Sequence, residues 1–386
     1  MAKKKTSQKS AASVKTGSKS GRKPKSPAAG KIISLAESVV KFAEKKKSPA
    51  IEIPLRTLSN AKFNKSRGII EMGDKQATRE FFDLGKARSF MQTLLIASGC
   101  KKLIDEDKTV SIRGLYYLSK HTIKGTTEKT FNDQNESDPI IEDLEVALES
   151  LREELHVFAS SRGAIAGNLT IVSKGDEIDL RRMGTSGWQI PGIVEPDVLQ
   201  FKKCEAKFIL HVEKDTVWQR FSEDKFAQKN NCIITHGNGQ PPRGVRRLLS
   251  RMHNELKLPI YCLLDNDPWG FYIYSVIKQG SINLAFESAR MAVPAAQFIG
   301  VRSRDYEEFG LSDDVKIAID NNDIKRAKQI MNYPWFKGKK DWEREIDLML
   351  KHGFKMEVES LLTKSISFVT ESYVPQKLKQ KNLWLD

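Results

Sequence analysis

The chain has 386 residues, 39% of them hydrophobic and 29% charged, and a formal net charge of +15. That length accommodates about two or three domains with their own cores, and the composition is that of a globular protein rather than a fibrous or wholly disordered one. No apolar run approaches the roughly 20 residues of a membrane span, and no apolar segment follows the basic start, so neither a membrane protein nor a secretory signal is expected. The expectation is an intracellular protein.

Residues 1–31 hold nine lysines and Arg22 and no acidic residue, so they supply +10 of the net charge. Such a tail reads as a contact for a polyanion or equally as a solubilising extension, and charge alone leaves both open. Residues 1–30 are Lys, Ser, Ala and Gly with little to bury, and the reading is a disordered basic tail over 1–50. Within it, Ile32 to Phe42 has the pattern of a short amphipathic helix before the basic run Lys45–Lys47. Globular sequence is expected from about Ile51.

Phe90, Leu94, Leu95 and Ile96 recur at roughly helical spacing between Gly85 and Leu103. A polar turn, Asp105-Glu-Asp-Lys108, follows, and Ser111 is placed to cap a second helix through Arg113, Leu115, Tyr116, Tyr117 and Leu118. A flexible insert is expected from Lys124 to Ser137. A third helix is expected to start at an Asp138 cap with Pro139 in its first turn and Ile141, Leu144, Ala147, Leu148, Leu151 and Leu155 as its apolar stripe. Gly163 to Val172 and a segment around Ile178 have strand character. Three helices followed by a hairpin is the order of a winged helix, which lays a helix against a DNA groove.

Gly187 to Asp197 reads as a linker, and beyond it apolar strands alternate with helices. Lys207–Glu213, Cys232–Thr235 and Pro259–Leu264 are the strands, and Thr216–Gln228 and Val245–Leu256 the helices between them. The strand ends carry His236-Gly-Asn-Gly239 and Asp265-Asn-Asp-Pro-Trp-Gly270. This pattern indicates a mainly parallel, Rossmann-like sheet covered on both faces, with a mainly helical stretch from Ser312 to Lys377. The expected fold is therefore α/β plus α+β, with a winged-helix domain over 51–199 and a sheet domain over 200–386. The four cysteines, Cys100, Cys204, Cys232 and Cys262, form no Cys-x-x-Cys pair, so neither zinc nor a disulfide framework is expected.

In a parallel sheet, ligands gather beyond the carboxyl ends of the strands. Glu213 stands at one such end, and Asp265 and Asp267 at another. Each alone reads as a helix cap, a turn residue or a surface ion-pair partner. Together they bring carboxylates into one volume, where mutual repulsion calls for a cation. Hard oxygen donors with open positions suit Mg²⁺, which neutralises charge as a phosphodiester breaks.

The segments VEKDTVWQRF, GNGQPPRGVRR and LLDNDPWG resemble a Toprim domain, whose lone glutamate matches Glu213 and whose Asp-x-Asp pair matches Asp265 and Asp267. A tyrosine hydroxyl, with a pKa of about 10, needs help to act as a nucleophile. Arg113 lies three residues before Tyr116 and four before Tyr117, so on a helix it shares a face with either and can stabilise charge. Residue chemistry alone leaves Tyr116 and Tyr117 open, and paired tyrosines serve equally as packing residues.

A tyrosine helix placed ahead of a Toprim domain resembles the family of topoisomerase VI A-subunits and meiotic double-strand-break proteins, from about residue 80 to near the C-terminus. Other similar segments are Ser161–Leu169, Leu256–Pro259 and Tyr373–Pro375. The resemblance implies a CAP-like winged helix and Tyr117 as nucleophile, with Arg113 assisting. It implies Mg²⁺ held by Glu213, Asp265 and Asp267, and a 5′-phosphotyrosyl intermediate. It further implies a homodimer on double-stranded DNA and an ATP-binding B subunit in an A2B2 assembly. The location implied is the cytoplasm at the nucleoid, or the nucleus in a eukaryote. No Gly-x-x-x-x-Gly-Lys-Ser/Thr loop is present, so ATP would belong to the partner. Asn238 and Pro242 stand where relatives carry lysine and aspartate, while Arg246 matches. Rival readings are a break-forming protein without topoisomerase turnover, a nuclease that uses water, and a non-catalytic DNA-binding scaffold.

Overall fold

The computed structural model describes residues 26–386. The expected disordered stretch over 1–50 is corrected from residue 27 onward, and residues 1–25 lie outside the described part. Helix α1 (Pro27–Glu44) buries Ala28, Ala29 and Ile32. Ala28 and Ile32 pack with Ile96, Ala97 and Cys100 of α2 (Ala87–Glu106). Its charged residues occupy the outer face, which gave the stretch its tail-like composition. Strand β1 (Ala50–Pro54) pairs antiparallel with β2 (Gln76–Glu80).

Helix α3 (Ile112–Ser119) is capped by the Ser111 hydroxyl, which accepts from the Gly114 N–H at 3.0 Å. Helix α4 (Gln134–Ala147) starts earlier than expected. The Asp133 side chain, not Asp138, accepts from the Asn135 N–H at 2.8 Å, which leaves Pro139 inside the helix. The cost is one missing bond, to the Asn135 carbonyl. Leu115 and Tyr116 of α3 pack with Ile141 and Leu144 of α4 and with α2, giving a three-helix core joined by α1.

The strands that follow do not form a self-contained unit. Strand β3 (Ala164–Gly167) leaves the helices and joins the main sheet. Strands β4 (Leu169–Ser173) and β5 (Asp176–Asp179) form the expected hairpin. Its Leu169 and Ile171 pack into the main sheet's core rather than that of the three helices. Part of the expected linker is strand β6 (Trp188–Gln189), paired with β3, because Ile165 and Ala164 offer it a free edge. Strand β7 (Leu199–Cys204) adds to β4, so a boundary between residues 199 and 200 falls within a strand.

The main sheet then takes β8 (Ile209–Val212), β9 (Ile233–His236), β10 (Ile260–Leu263) and β11 (Gln297–Gly300). Its order is β6-β3-β9-β8-β10-β11. The last four strands are mutually parallel, and β3 and β6 run antiparallel at one edge. Helices α6 (Arg243–Leu256) and α7 (Pro268–Gln279) cover one face, through Leu248, Leu249, Phe271 and Ile277. Helix α5 (Asp215–Glu223) and residues 356–374 cover the other, through Val217, Phe221, Met356 and Val369. Helices α8 (Asn321–Met331) and α9 (Lys340–His352) pack onto the α7 side. With both faces covered, each of β8 and β9 is fully buried along its length, which explains why their sequences are apolar without alternation.

Candidate active site

Parallel pairing of β8 with β10 sets Val212 opposite Leu263, so Glu213 and Asp265 leave adjacent strand ends together. The Asp265 N–H donates to Glu213 Oε2 at 3.1 Å, and both side chains are buried. Burial, then the Asp265 and Asp267 charges, push the Glu213 carboxyl up to about 8. Burial raises Asp265 to about 6 against the pull of the Val358 N–H and Lys214. Burial also raises Asp267, against the Gly270 N–H.

Asp267 N-caps α7, its Oδ1 accepting from the Gly270 N–H at 2.6 Å. Gly270 is required there, since a Cβ would meet the Asp265 carbonyl oxygen at 2.3 Å. Thus Glu213 and Asp265 adjoin while Asp267 is engaged as a cap. Among the described residues, no three acidic, histidine or cysteine side chains are gathered closely enough to hold a metal. The donor chemistry nonetheless fits a hard cation. Two buried carboxylates are held side by side with raised pKa values, a cost that a divalent ion would relieve, and Asp267 lies two residues beyond Asp265.

The chain supplies part of that relief itself. Lys214 Nζ lies 3.0 Å from Asp265 Oδ2, 3.1 Å from Glu357 Oε2 and 3.2 Å from Glu359 Oε2. Lys214 thus pairs across to Asp265 rather than with its chain neighbour Glu213. The Val358 N–H donates to Asp265 Oδ1 at 2.8 Å. Asn266 and Met356 exchange both backbone hydrogen bonds, at 2.8 and 3.2 Å. The buried Asn266 amide donates to Ser303 Oγ at 3.2 Å and to Glu345 Oε1 at 3.3 Å. Sequence reasoning missed Asn266, Glu357, Val358 and Glu359. The only local signal was the Asn between the two aspartates, since the other groups arrive from about ninety residues downstream.

The loop with the unusual Asn238 has a supporting role, because the Gly239 N–H donates to the Glu213 carbonyl at 2.9 Å. Pro242 precedes α6 as its N-cap residue. Arg246 is directed elsewhere, to a buried ion pair with Glu287 at 3.2 Å.

The two tyrosines of α3 occupy different environments. Tyr116 is buried; its hydroxyl donates to the Asn132 carbonyl at 3.2 Å and accepts from Lys120 Nζ at 2.5 Å. Tyr117 is 58% exposed, and the Arg113 guanidinium lies 6.0 Å from the centre of its ring. No hydrogen bond joins Tyr117 to Glu213, Asp265 or Asp267 among the described residues. Thus the structure pairs Arg113 with Tyr117 and Glu213 with Asp265, and it leaves the tyrosine and the carboxylates as separate groups within one chain.

The chain matches three families in sequence. Residues 88–157 match "Type IIB DNA topoisomerase", and 162–205 match "All-beta domain in DNA topoisomerase VI alpha subunit". Residues 208–378 match the Toprim domain of the topoisomerase 6 A-subunit/Spo11 family. A Pyrococcus abyssi protein, named as the A-subunit of type 2 DNA topoisomerase 6, is 42% identical over 363 residues, 92% of this chain and 94% of its own length. The proteins of that name from Aeropyrum pernix and Methanocaldococcus jannaschii are 41% and 33% identical, over 89% and 94% of this chain and 91% and 98% of their own lengths. Residues 208–378 are a Toprim domain, and with three family segments in one order and 42% identity across 92% of its length, the chain belongs to the type IIB topoisomerase VI A-subunit family.

Proposed function

We propose that this chain is the cleavage and religation subunit of a type II DNA topoisomerase, with Tyr117 as its nucleophile. The observation that carries the assignment is the contrast on α3: Tyr116 is locked into the core, whereas Tyr117 reaches solvent beside Arg113. In the reaction the Tyr117 oxygen bonds to a backbone phosphorus and its proton is lost. The bond from phosphorus to the 3′ oxygen breaks, and that oxygen leaves as a hydroxyl. The 5′ end stays on the tyrosine, so bond energy is conserved for the reverse step. Arg113 stabilises charge on the phosphate. Glu213, Asp265 and Asp267 would hold Mg²⁺, which when bound supplies neutralisation of charge at the phosphodiester.

One tyrosine cuts one strand, so a double-strand break takes a homodimer, with each tyrosine meeting the partner's carboxylates. The absence of any hydrogen bond between Tyr117 and the acids among the described residues is consistent with that arrangement. Helices α2, α3 and α4 act as the DNA-binding part, of CAP-like winged-helix type, and the strands from β3 onward belong with the sheet of the metal-binding part. The relatives' names imply a B subunit, which we take as the ATP-binding partner in an A2B2 complex that passes a second duplex. No described helix is long and apolar enough to cross a membrane, and the site of action assigned is the nucleoid in the cytoplasm, or the nucleus in a eukaryote.

The test incubates the chain and its partner with Mg²⁺ and end-labelled duplex DNA, followed by denaturation. Wild type and Tyr116→Phe are expected to leave protein attached to 5′ ends, and Tyr117→Phe none. Free 5′ ends with an active Tyr117→Phe would instead identify a nuclease that uses water. Adducts without ATP-dependent relaxation would favour a break-forming protein that does not turn over.

A further inference from the structure

Lys214 follows Glu213 directly, and its ammonium is held by three carboxylates, at 3.0 Å from Asp265, 3.1 Å from Glu357 and 3.2 Å from Glu359. Those acceptors are of two kinds. Asp265 is buried and belongs to the acidic site, whereas Glu357 and Glu359 are partly exposed and stand at its rim. The rim is fixed in place, because Val358, between the two glutamates, donates its N–H to Asp265 Oδ1 at 2.8 Å. Glu359 is also held by the Thr216 hydroxyl. A lysine at such a junction can change acceptors by rotating its four-carbon stem, which an arginine fork does less readily.

A divalent ion at Glu213 and Asp265 would bring two further positive charges against that ammonium. Like charges at such separations repel strongly away from bulk water. Asp265 would then give up the lysine, while Glu357 and Glu359 would keep it. Resting on the reading of the three acids as a metal site, we infer that Lys214 is a resident counter-cation. It neutralises Asp265 while no metal is bound and shifts onto Glu357 and Glu359 when a divalent ion arrives. The lysine thereby weakens metal binding and keeps buried, like-charged carboxylates together without it.

The inference is tested by titrating the full-length protein with Mn²⁺ alone and following free Mn²⁺ by electron paramagnetic resonance. Lys214→Ala should bind Mn²⁺ about tenfold more tightly than wild type, since it removes a competing charge. Lys214→Gln, which keeps length and hydrogen bonding, should do the same and guards against loss of fold. Lys214→Arg, which keeps the charge, should stay within about threefold of wild type. Unchanged or weaker binding in both Lys214→Ala and Lys214→Gln would overturn the inference and leave the metal site standing. Absence of Mn²⁺ binding in wild type would overturn the site as well, while the covalent-adduct assay would still judge Tyr117 by itself.

Discussion

At Gly270 a hydrogen atom is all that the backbone admits. The Asp265 carbonyl oxygen would lie 2.3 Å from a Cβ placed there, and this contact is with backbone that cannot swing aside. The same glycine donates its N–H to Asp267 at 2.6 Å, so one residue fixes the distance between the two aspartates. Gly270→Ala is therefore expected to weaken Mn²⁺ binding at least about tenfold and to cost about 1–3 kcal/mol of stability through overpacking. Gly30→Ala, whose methyl meets nothing within 4 Å in α1, is the matched control and should leave Mn²⁺ binding unchanged while adding about 0.5–1 kcal/mol of stability through helix propensity. Titration of Mn²⁺ and thermal melts of both variants check this. An unaltered Mn²⁺ affinity in Gly270→Ala would mean that the turn tolerates the shift.

Helix α1 shows how much a short amphipathic element contributes when composition argues against it. Ile32 is 5% exposed in the three-helix core. Ile32→Ala should destabilise that core by about 2–4 kcal/mol, the usual cost of such a cavity, seen as a lowered melting temperature. Ile33→Ala, at 45% exposure, should have little effect. The apolar pattern from Ile32 onward was visible in the sequence, but the helix begins at Pro27 because Ala28 and Ala29 also find a surface to cover. Local signals were legible elsewhere too: the Ser111 cap, the apolar strands and the acids at their ends were readable because each depends on neighbours in sequence. The pairing of β3 with β9 was not, since the hydrogen bonds from Ala164–Gly167 to Ile233–His236 span about seventy residues. Pro139 misled for a related reason, as Asp133 offered a second valid cap five residues ahead of Asp138. For the site, the strand-end carboxylates could be read directly. Tyr117 is preferred over Tyr116 on family resemblance alone, and the burial of Tyr116 beside an exposed Tyr117 supports that proposal.

Between the tyrosine helices and the sheet, the molecule is joined by charge rather than by oil. Arg243 of α6 lies 2.7 Å from Glu145 of α4, 2.8 Å from Glu287 and 3.4 Å from Glu153. Arg152 adds a contact to Glu145 at 3.2 Å, and all five side chains are at most 9% exposed. Burial pushes the Glu145 carboxyl up to about 7, against the pull of Arg243 and Arg152. Such a cluster adds little net stability when complete, but removing one member strands the others. Arg243→Met should cost about 3–5 kcal/mol and broaden or split the melting transition, as the two parts lose their registration. Calorimetry of wild type and variant decides; a single unchanged transition would show that packing alone holds the parts together.

The clasp that Met356 and Val358 place on the Asp265 turn also sets an order of events during synthesis. A chain grows from its N-terminus, and its domains begin to fold as they emerge. A ribosome that has made the first 350 residues has released Tyr117 and all three carboxylates, but not the backbone groups that bond Asn266 and Asp265. The three-helix part that carries Tyr117 is therefore finished before the carboxylate turn is pinned. On the proposed function, an interrupted chain would carry the proposed nucleophile without a pinned carboxylate turn to use it, the safer half to possess beside a genome.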